Sequence, residues 1–134
     1  LDHLGGPLGV GPYSDQATAV FLEWDRAMTE LAACDNVVTK LGGLAMEVNG
    51  FNWHRLPAPP TSDDLLKGCA HYYERTIELF GVDRCLFESN FPVDKISCSY
   101  NTLWNAFKKL TKDYSASDKA KLFHDNAQRI YRIA

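Results

Sequence analysis

The chain has 134 residues, of which 46% are hydrophobic, and it carries a formal net charge of −3. This composition excludes a disordered chain and offers no basic surface for nucleic acid. No apolar run approaches the ~20 residues that a membrane-spanning helix needs, so neither nucleic acid nor a membrane is an expected partner. The four cysteines, Cys34, Cys69, Cys85 and Cys98, form no CxxC pair. They therefore favour a reducing, cytoplasmic location over a disulfide framework.

The first half of the chain predicts one helix between two strand segments. Leu1-Asp2-His3 precedes a loop rich in glycine and proline, a pattern typical of a strand end that leads into a functional loop. Ser14 can cap a helix that begins near Asp15 and carries apolar residues at helical spacing. Residues 36–41 are β-branched and predict a strand that ends at Gly42-Gly43.

The second half continues the alternation of helix and strand. Residues 44–61 form a long segment that contains three prolines and several aromatic residues, which indicates a functional loop. Ser62 begins a helix that ends at Gly81, and a strand follows at residues 84–88. Helices are predicted at residues 100–110 and 117–131, with Asn126 capping a final turn. Such alternation is typical of an α/β fold with parallel strands.

Four motifs together resemble a known family. They are the residues 2–7 (DHLGGP), 36–44 (NVVTKLGGL), 80–92 (FGVDRCLFESNFP) and 122–132 (LFHDNAQRIYR). In this order they resemble the C-terminal part of the amidohydrolase-2 group, metal-dependent TIM-barrel hydrolases that include dicarboxylate lactonases and carboxymuconate-semialdehyde decarboxylases. The resemblance implies that residues 1–134 form part of a (β/α)8 TIM barrel, about strands six to eight with their helices.

The same resemblance assigns catalytic candidates. His3 matches a strand-six histidine that faces the substrate or a metal-bound water and can exchange a proton near pH 7; a structural hydrogen bond in a loop is the alternative. Asn90 stands where the family usually has an aspartate that binds the metal or activates water. His3 and Asn90 are thus candidate ligands for a divalent, zinc-like metal, but an amide is a poorer ligand than a carboxylate and puts metal dependence in doubt.

The remaining site candidates surround this pair. Asn90 could orient a water or a substrate carbonyl, with Asp94 or Glu88 as the ionised group, although Asp94 could equally cap a turn or pair with Lys95. Because side chains alternate along a strand, Lys40 and Glu88 are expected to face inward and form a structural ion pair. In the long loop, Arg55 could hold a substrate carboxylate, Trp53 could cover a substrate ring, and His54 lies between them. Packing against a partner subunit is the alternative for this loop.

The expected function is that of an amidohydrolase-type hydrolase acting on a small carboxylated or cyclic ester or amide, in the manner of a lactonase. Two alternatives are a nonoxidative decarboxylase on the same barrel and a non-catalytic half-barrel that assembles through its sheet edges. The His-x-His pair that the family carries on strand one does not occur in this sequence. We therefore expect the isolated chain to be inactive unless a missing N-terminal half-barrel or a homo-oligomer completes it.

Overall fold

The computed structural model describes residues 1–133, which form an α/β unit of mostly helical content. The first half contains α1 (Ala17–Ala32) and β1 (Thr39–Leu41), and α2 (Ser62–Phe80) then leads into β2 (Cys85–Phe87). The C-terminal helices are α3 (Tyr100–Leu110), α4 (Ala116–Ala120) and α5 (Asn126–Tyr131), with a π-helical turn at Lys121–Asp125 between the last two. Within this described range, no helix combines the length and apolar character needed to cross a bilayer.

The two strands pair in parallel, with Thr39 opposite Cys85 and Leu41 opposite Phe87. Since α2 lies between them in the chain, this is the strand–helix–strand unit that the alternation predicts. Successive side chains point to opposite faces. Phe87 faces the helices and stacks on Phe107, with ring centroids 4.4 Å apart. Lys40 and Glu88 lie on the other face.

The strand end predicted at Leu1-Asp2-His3 is reduced to one residue, Leu1, that pairs with β1. The Leu1 amino group donates to the Val38 carbonyl at 2.7 Å, and the Lys40 N–H donates to the Leu1 carbonyl at 2.9 Å. These two bonds have the pattern of a parallel strand neighbour. The pairing ends there because His3 and Leu4 have φ angles of 53° and 45°, which turn the chain away from β1.

Two predicted helix caps, Ser14 and Asn126, are wrong. The N-cap of α2 is Thr61, next to Ser62, where the sequence predicts that the helix begins. Ser14 does not cap α1, since Gln16 occupies the N-cap position and makes no side-chain capping bond. Asn126 caps no turn, because its Nδ2 donates to the carbonyls of Val82 and Cys85 at 2.6 and 2.7 Å and so ties α5 to β2. At the start of α2, Thr61 and Asp64 form a reciprocal capping box.

Candidate active site

Four side chains, Asp2, Lys40, Glu88 and His3, form a charged cluster across the inner face of the sheet, in which acidic and basic groups alternate. Lys40 Nζ lies 2.7 Å from Asp2 Oδ1 and 2.5 Å from Glu88 Oε2. The other oxygen of Glu88, Oε1, lies 2.6 Å from His3 Nδ1. The cluster thus joins the start of the chain, β1 and the residue directly after β2. Parallel strands bring these groups together because their carboxyl ends meet at one edge of the sheet.

The electrostatics of this cluster favour the charged forms of Lys40 and Asp2. Burial alone would lower the pKa of the Lys40 amine, but hydrogen bonds to Asp2 and Glu88 raise it above its ordinary value. The hydrogen bond from Lys40 is the main cause of the lowered pKa of Asp2. An ionised carboxylate can only accept hydrogen bonds. The Glu88 carboxylate therefore places the proton of a neutral His3 on Nδ1 and leaves the lone pair on Nε2.

Two adjacent glycines make room for this contact. Any side chain at Gly42 would collide with the backbone and side chain of Glu88. Any side chain at Gly43, which has a φ of +76°, would collide with the ring of His3. Gly42 and Gly43, which mark the end of the predicted strand, therefore also leave the space in which Glu88 and His3 come into contact.

A left-handed turn directs His3 toward Glu88. His3 and Leu4 both have positive φ, followed by Gly5 and Gly6 at 76° and 55°, and such a backbone costs roughly 1–2 kcal/mol for each residue other than glycine. The turn is held because Leu4 is fully buried and its carbonyl accepts a 2.7 Å hydrogen bond from Trp24 Nε1. Trp24 is one of the apolar residues at helical spacing in α1, and this spacing does not indicate that it fixes the turn.

Asn90 and Asp94 form a second polar pair beside the charged cluster. Asn90 has a φ of 51°, and its Nδ2 donates to Asp94 Oδ1 at 2.7 Å. Asp94 is fully buried, and its Oδ2 accepts from the Ala45 N–H at 3.3 Å. Burial raises the pKa of Asp94 to about 6, against the opposing effect of these two hydrogen bonds and of nearby His3. Asp94 therefore lies behind Asn90 and is bonded to Asn90 and Ala45, not to Lys95.

The three loop candidates lie apart from this cluster. Trp53 is only 8% exposed and stacks on Phe51 with ring centroids 4.5 Å apart, as part of the hydrophobic core. Its contact with a substrate ring stays a prediction. His54 Nε2 and Arg55 NH2 lie 3.6 and 3.3 Å from Glu47 Oε1. Within residues 1–133, no hydrogen bond or ion pair joins the loop candidates to the charged cluster.

Asp2 is the member of the cluster that the sequence does not single out. The sequence points to Asp2 only indirectly. Asp2 precedes His3, and a lysine on an inward face needs a hydrogen-bond acceptor for each of its N–H groups. One carboxylate, Glu88, shares its two oxygens between Lys40 and His3, which leaves the amine short of a partner that Asp2 supplies.

Comparisons with known proteins identify the family and agree with the fold. A family model described as amidohydrolase matches residues 1–133, and the chain belongs to this family. It is 45% identical over 113 residues to the uncharacterized protein y4mH of Sinorhizobium fredii, covering 84% of this chain and 34% of that protein. It is 30% identical over 134 residues to L-fucono-1,5-lactonase of Burkholderia multivorans, covering 99% of this chain and 42% of the lactonase. The chain thus spans well under half the length of these relatives.

Solved structures give the same result. A crystal structure of an amidohydrolase from Burkholderia multivorans with bound HEPES has a TM-score of 0.83 and 27% identity, over 100% of this chain and 44% of that one. A second crystal form with bound Zn has a TM-score of 0.79 and 29% identity, over 100% of this chain and 43% of that one. The resemblance to the amidohydrolase group is therefore confirmed.

The zinc in that relative raises the question of whether the residues here fit a metal. Among residues 1–133, no three His, Cys, Asp or Glu side chains are grouped so that they could hold an ion. His3 Nδ1 and Asn90 Nδ2 are hydrogen-bonded, and Asp94 is fully buried behind Asn90, which leaves His3 Nε2 and Asn90 Oδ1. Zinc in proteins takes at least three protein ligands, usually charged or imidazole. One imidazole and one neutral amide do not make such a site, so the described residues by themselves do not fit a metal.

Proposed function

We propose that residues 1–134 form the C-terminal part of an amidohydrolase barrel, about strands six to eight, that hydrolyses a small lactone. The contact between His3 Nδ1 and Glu88 Oε1 at 2.6 Å supports this proposal most directly. It lies at the carboxyl ends of parallel strands, where barrel enzymes carry their chemistry. The similarity to a lactonase over 99% of the chain favours ester hydrolysis over decarboxylation.

His3 acts as the general base in this mechanism. Its Nε2 takes a proton from a water, the water oxygen bonds to the lactone carbonyl carbon, and the ring C–O bond then breaks. The proton on Nε2 passes to the leaving alkoxide, so that lactone and water yield a hydroxy acid. While Nε2 holds that proton the ring is a cation, and the Glu88 carboxylate stabilises it through the Nδ1 proton.

Lys40 and Asn90 have supporting roles. Lys40 bonds the second oxygen of Glu88 and keeps that carboxylate aimed at His3. Asn90, at the end of β2, orients the water or a polar group of the substrate through its amide oxygen. Arg55 and His54 remain candidates for contact with a substrate carboxylate, since both lie in the loop that follows β1.

The rest of the pocket comes from strands outside this chain. The relatives extend well beyond the matched part, and those strands are supplied either by the same polypeptide or by a partner. A chimera tests the function directly. Residues 1–134 replace the matching 42% of the Burkholderia lactonase, and hydrolysis of L-fucono-1,5-lactone and other sugar 1,5-lactones is measured for the chimera, for the isolated chain and for the parent enzyme.

The expected result is lactone hydrolysis by the chimera and none by the isolated chain. Aromatic and enoic acids assayed in parallel for CO2 release distinguish the decarboxylase alternative. A chimera that folds, as judged by circular dichroism and a cooperative thermal transition, but opens no lactone would contradict the proposal. Turnover of the isolated chain at the rate of the parent enzyme would show that the barrel need not be completed.

A further inference from the structure

Asn90 and Asp94, which follow β2, are arranged so that the exposed group is the neutral amide of Asn90 and the negative charge of Asp94 lies behind it. Asn90 is partly exposed, whereas Asp94 has no exposed surface. Both oxygens of Asp94 accept hydrogen bonds, one from Asn90 Nδ2 and one from the Ala45 N–H. Because Asp94 also has no exposed surface, its carboxylate is not open to a ligand in this arrangement.

This arrangement fixes the orientation of the Asn90 amide. Because an ionised carboxylate only accepts hydrogen bonds, the NH2 group of Asn90 must face Asp94. Its Oδ1 then points the other way and makes no hydrogen bond within residues 1–133. The group presented at the end of β2 is a neutral carbonyl oxygen, which accepts hydrogen bonds and carries no charge to attract a cation.

We propose that this end of the site binds a neutral hydrogen-bond donor, a water or a hydroxyl group of the ligand, through Asn90 Oδ1 and does not hold a divalent cation. Asp94 is a positioning residue that holds the amide in this orientation. The ligand class that this arrangement favours is a hydroxylated lactone together with its attacking water. In that respect the inference rests on the proposed function.

The inference can be tested by exchanging the two side chains. In the double variant Asn90→Asp/Asp94→Asn, the new amide at position 94 can accept from the Ala45 N–H with its oxygen and donate to position 90 with its nitrogen. All three hydrogen-bonding groups thus keep their partners, and the left-handed φ of position 90 suits Asp as well as Asn. The only large change is that the carboxylate now lies at position 90, on the partly exposed side of the pair.

Zinc binding by the purified chain is the measurement, made by calorimetric titration near pH 7. The double variant is expected to bind Zn²⁺ at least tenfold more tightly than the wild type, since a carboxylate is a much better ligand than an amide. Asn90→Gly, which removes the side chain without straining the backbone, is expected to leave the affinity of the wild type within threefold. Asp94→Asn alone removes the buried charge without bringing it forward, so it should also produce no gain.

Two outcomes would overturn the inference. One is a wild-type chain whose Zn²⁺ affinity falls tenfold or more in Asn90→Gly, which would make the amide a metal ligand. The other is a wild-type chain that binds Zn²⁺ measurably and as tightly as the folded double variant does. If the double variant does not fold, the Zn²⁺ affinities of the wild type and of Asn90→Gly test the inference by themselves. Because zinc binding is measured without turnover, a chimera that opens no lactone would refute the proposed function and leave this result standing.

Discussion

Replacing His3 by glutamine is expected to lower kcat for lactone hydrolysis in the chimera by roughly 10²–10⁴-fold, the usual contribution of a general base. Glutamine keeps a polar side chain at the turn but has no group that can take up a proton near neutral pH. KM should change little, because His3 acts on the water and not on the bound ring. Steady-state kinetics on the lactone that the chimera hydrolyses fastest provide the measurement.

Glu88→Gln is the matched variant for the same claim. A glutamine amide can donate to His3 Nδ1, which moves the ring proton to Nε2 and removes the base. The loss in kcat should therefore approach that of His3→Gln, and the double variant should lose little more, because residues that act as a unit are not additive. His124→Gln is the control, since its side chain is 70% exposed. A kcat for His3→Gln within threefold of the parent chimera would contradict this mechanism.

The buried carboxylate of Asp94 is expected to make its contribution to the free energy of unfolding larger in acid than at neutral pH. Its pKa is raised by burial from 3.8 to about 6, so the native state binds a proton in a range where the unfolded chain does not. This contribution to stability is fully present below pH 3.8 and is lost as the pH rises through 6. Relative to Asp94→Asn, the wild-type chain should gain about 2 kcal/mol in the free energy of unfolding between pH 7 and pH 4.

Denaturant unfolding of both proteins across that pH range provides the measurement. Asp64→Asn is a control with the opposite sign, because hydrogen bonds from Thr61 lower the pKa of Asp64. The wild-type chain should therefore lose stability relative to Asp64→Asn as the pH falls through that lowered pKa. A difference between wild type and Asp94→Asn that does not vary with pH would contradict the raised pKa of Asp94.

Much of the fold follows from local patterns in the sequence. The helix predicted at residues 100–110 coincides with α3, and the helix from Ser62 to Gly81 coincides with α2. Alternation along two neighbouring strands places Lys40 and Glu88 on one face, and the structure shows their side chains in contact. These features depend on hydrophobic spacing, capping residues and strand alternation, which can be read from residues close together in the chain.

The contact between His3 and Glu88 could not be predicted in the same way. It depends on a left-handed turn in which His3 and Leu4 adopt a backbone that their residue types disfavour, and local propensity therefore argues against it. The turn exists because Trp24, twenty residues away, binds the Leu4 carbonyl. The hydrogen bond that Asp94 accepts from the Ala45 N–H, in the loop after β1, is likewise a tertiary contact. Sequence patterns indicate which residues carry chemistry, but not which atoms are already bonded.

The protonation of the His3 ring tests the central physical claim most directly. Nitrogen-15 NMR of the histidine side chains distinguishes a proton on Nδ1 from one on Nε2. At a pH where the ring is neutral, we expect the His3 proton on Nδ1 in the wild-type chain and on Nε2 in Glu88→Gln. A His3 ring that carries its proton on Nε2 in the wild type, or one that does not respond to Glu88→Gln, would contradict the account.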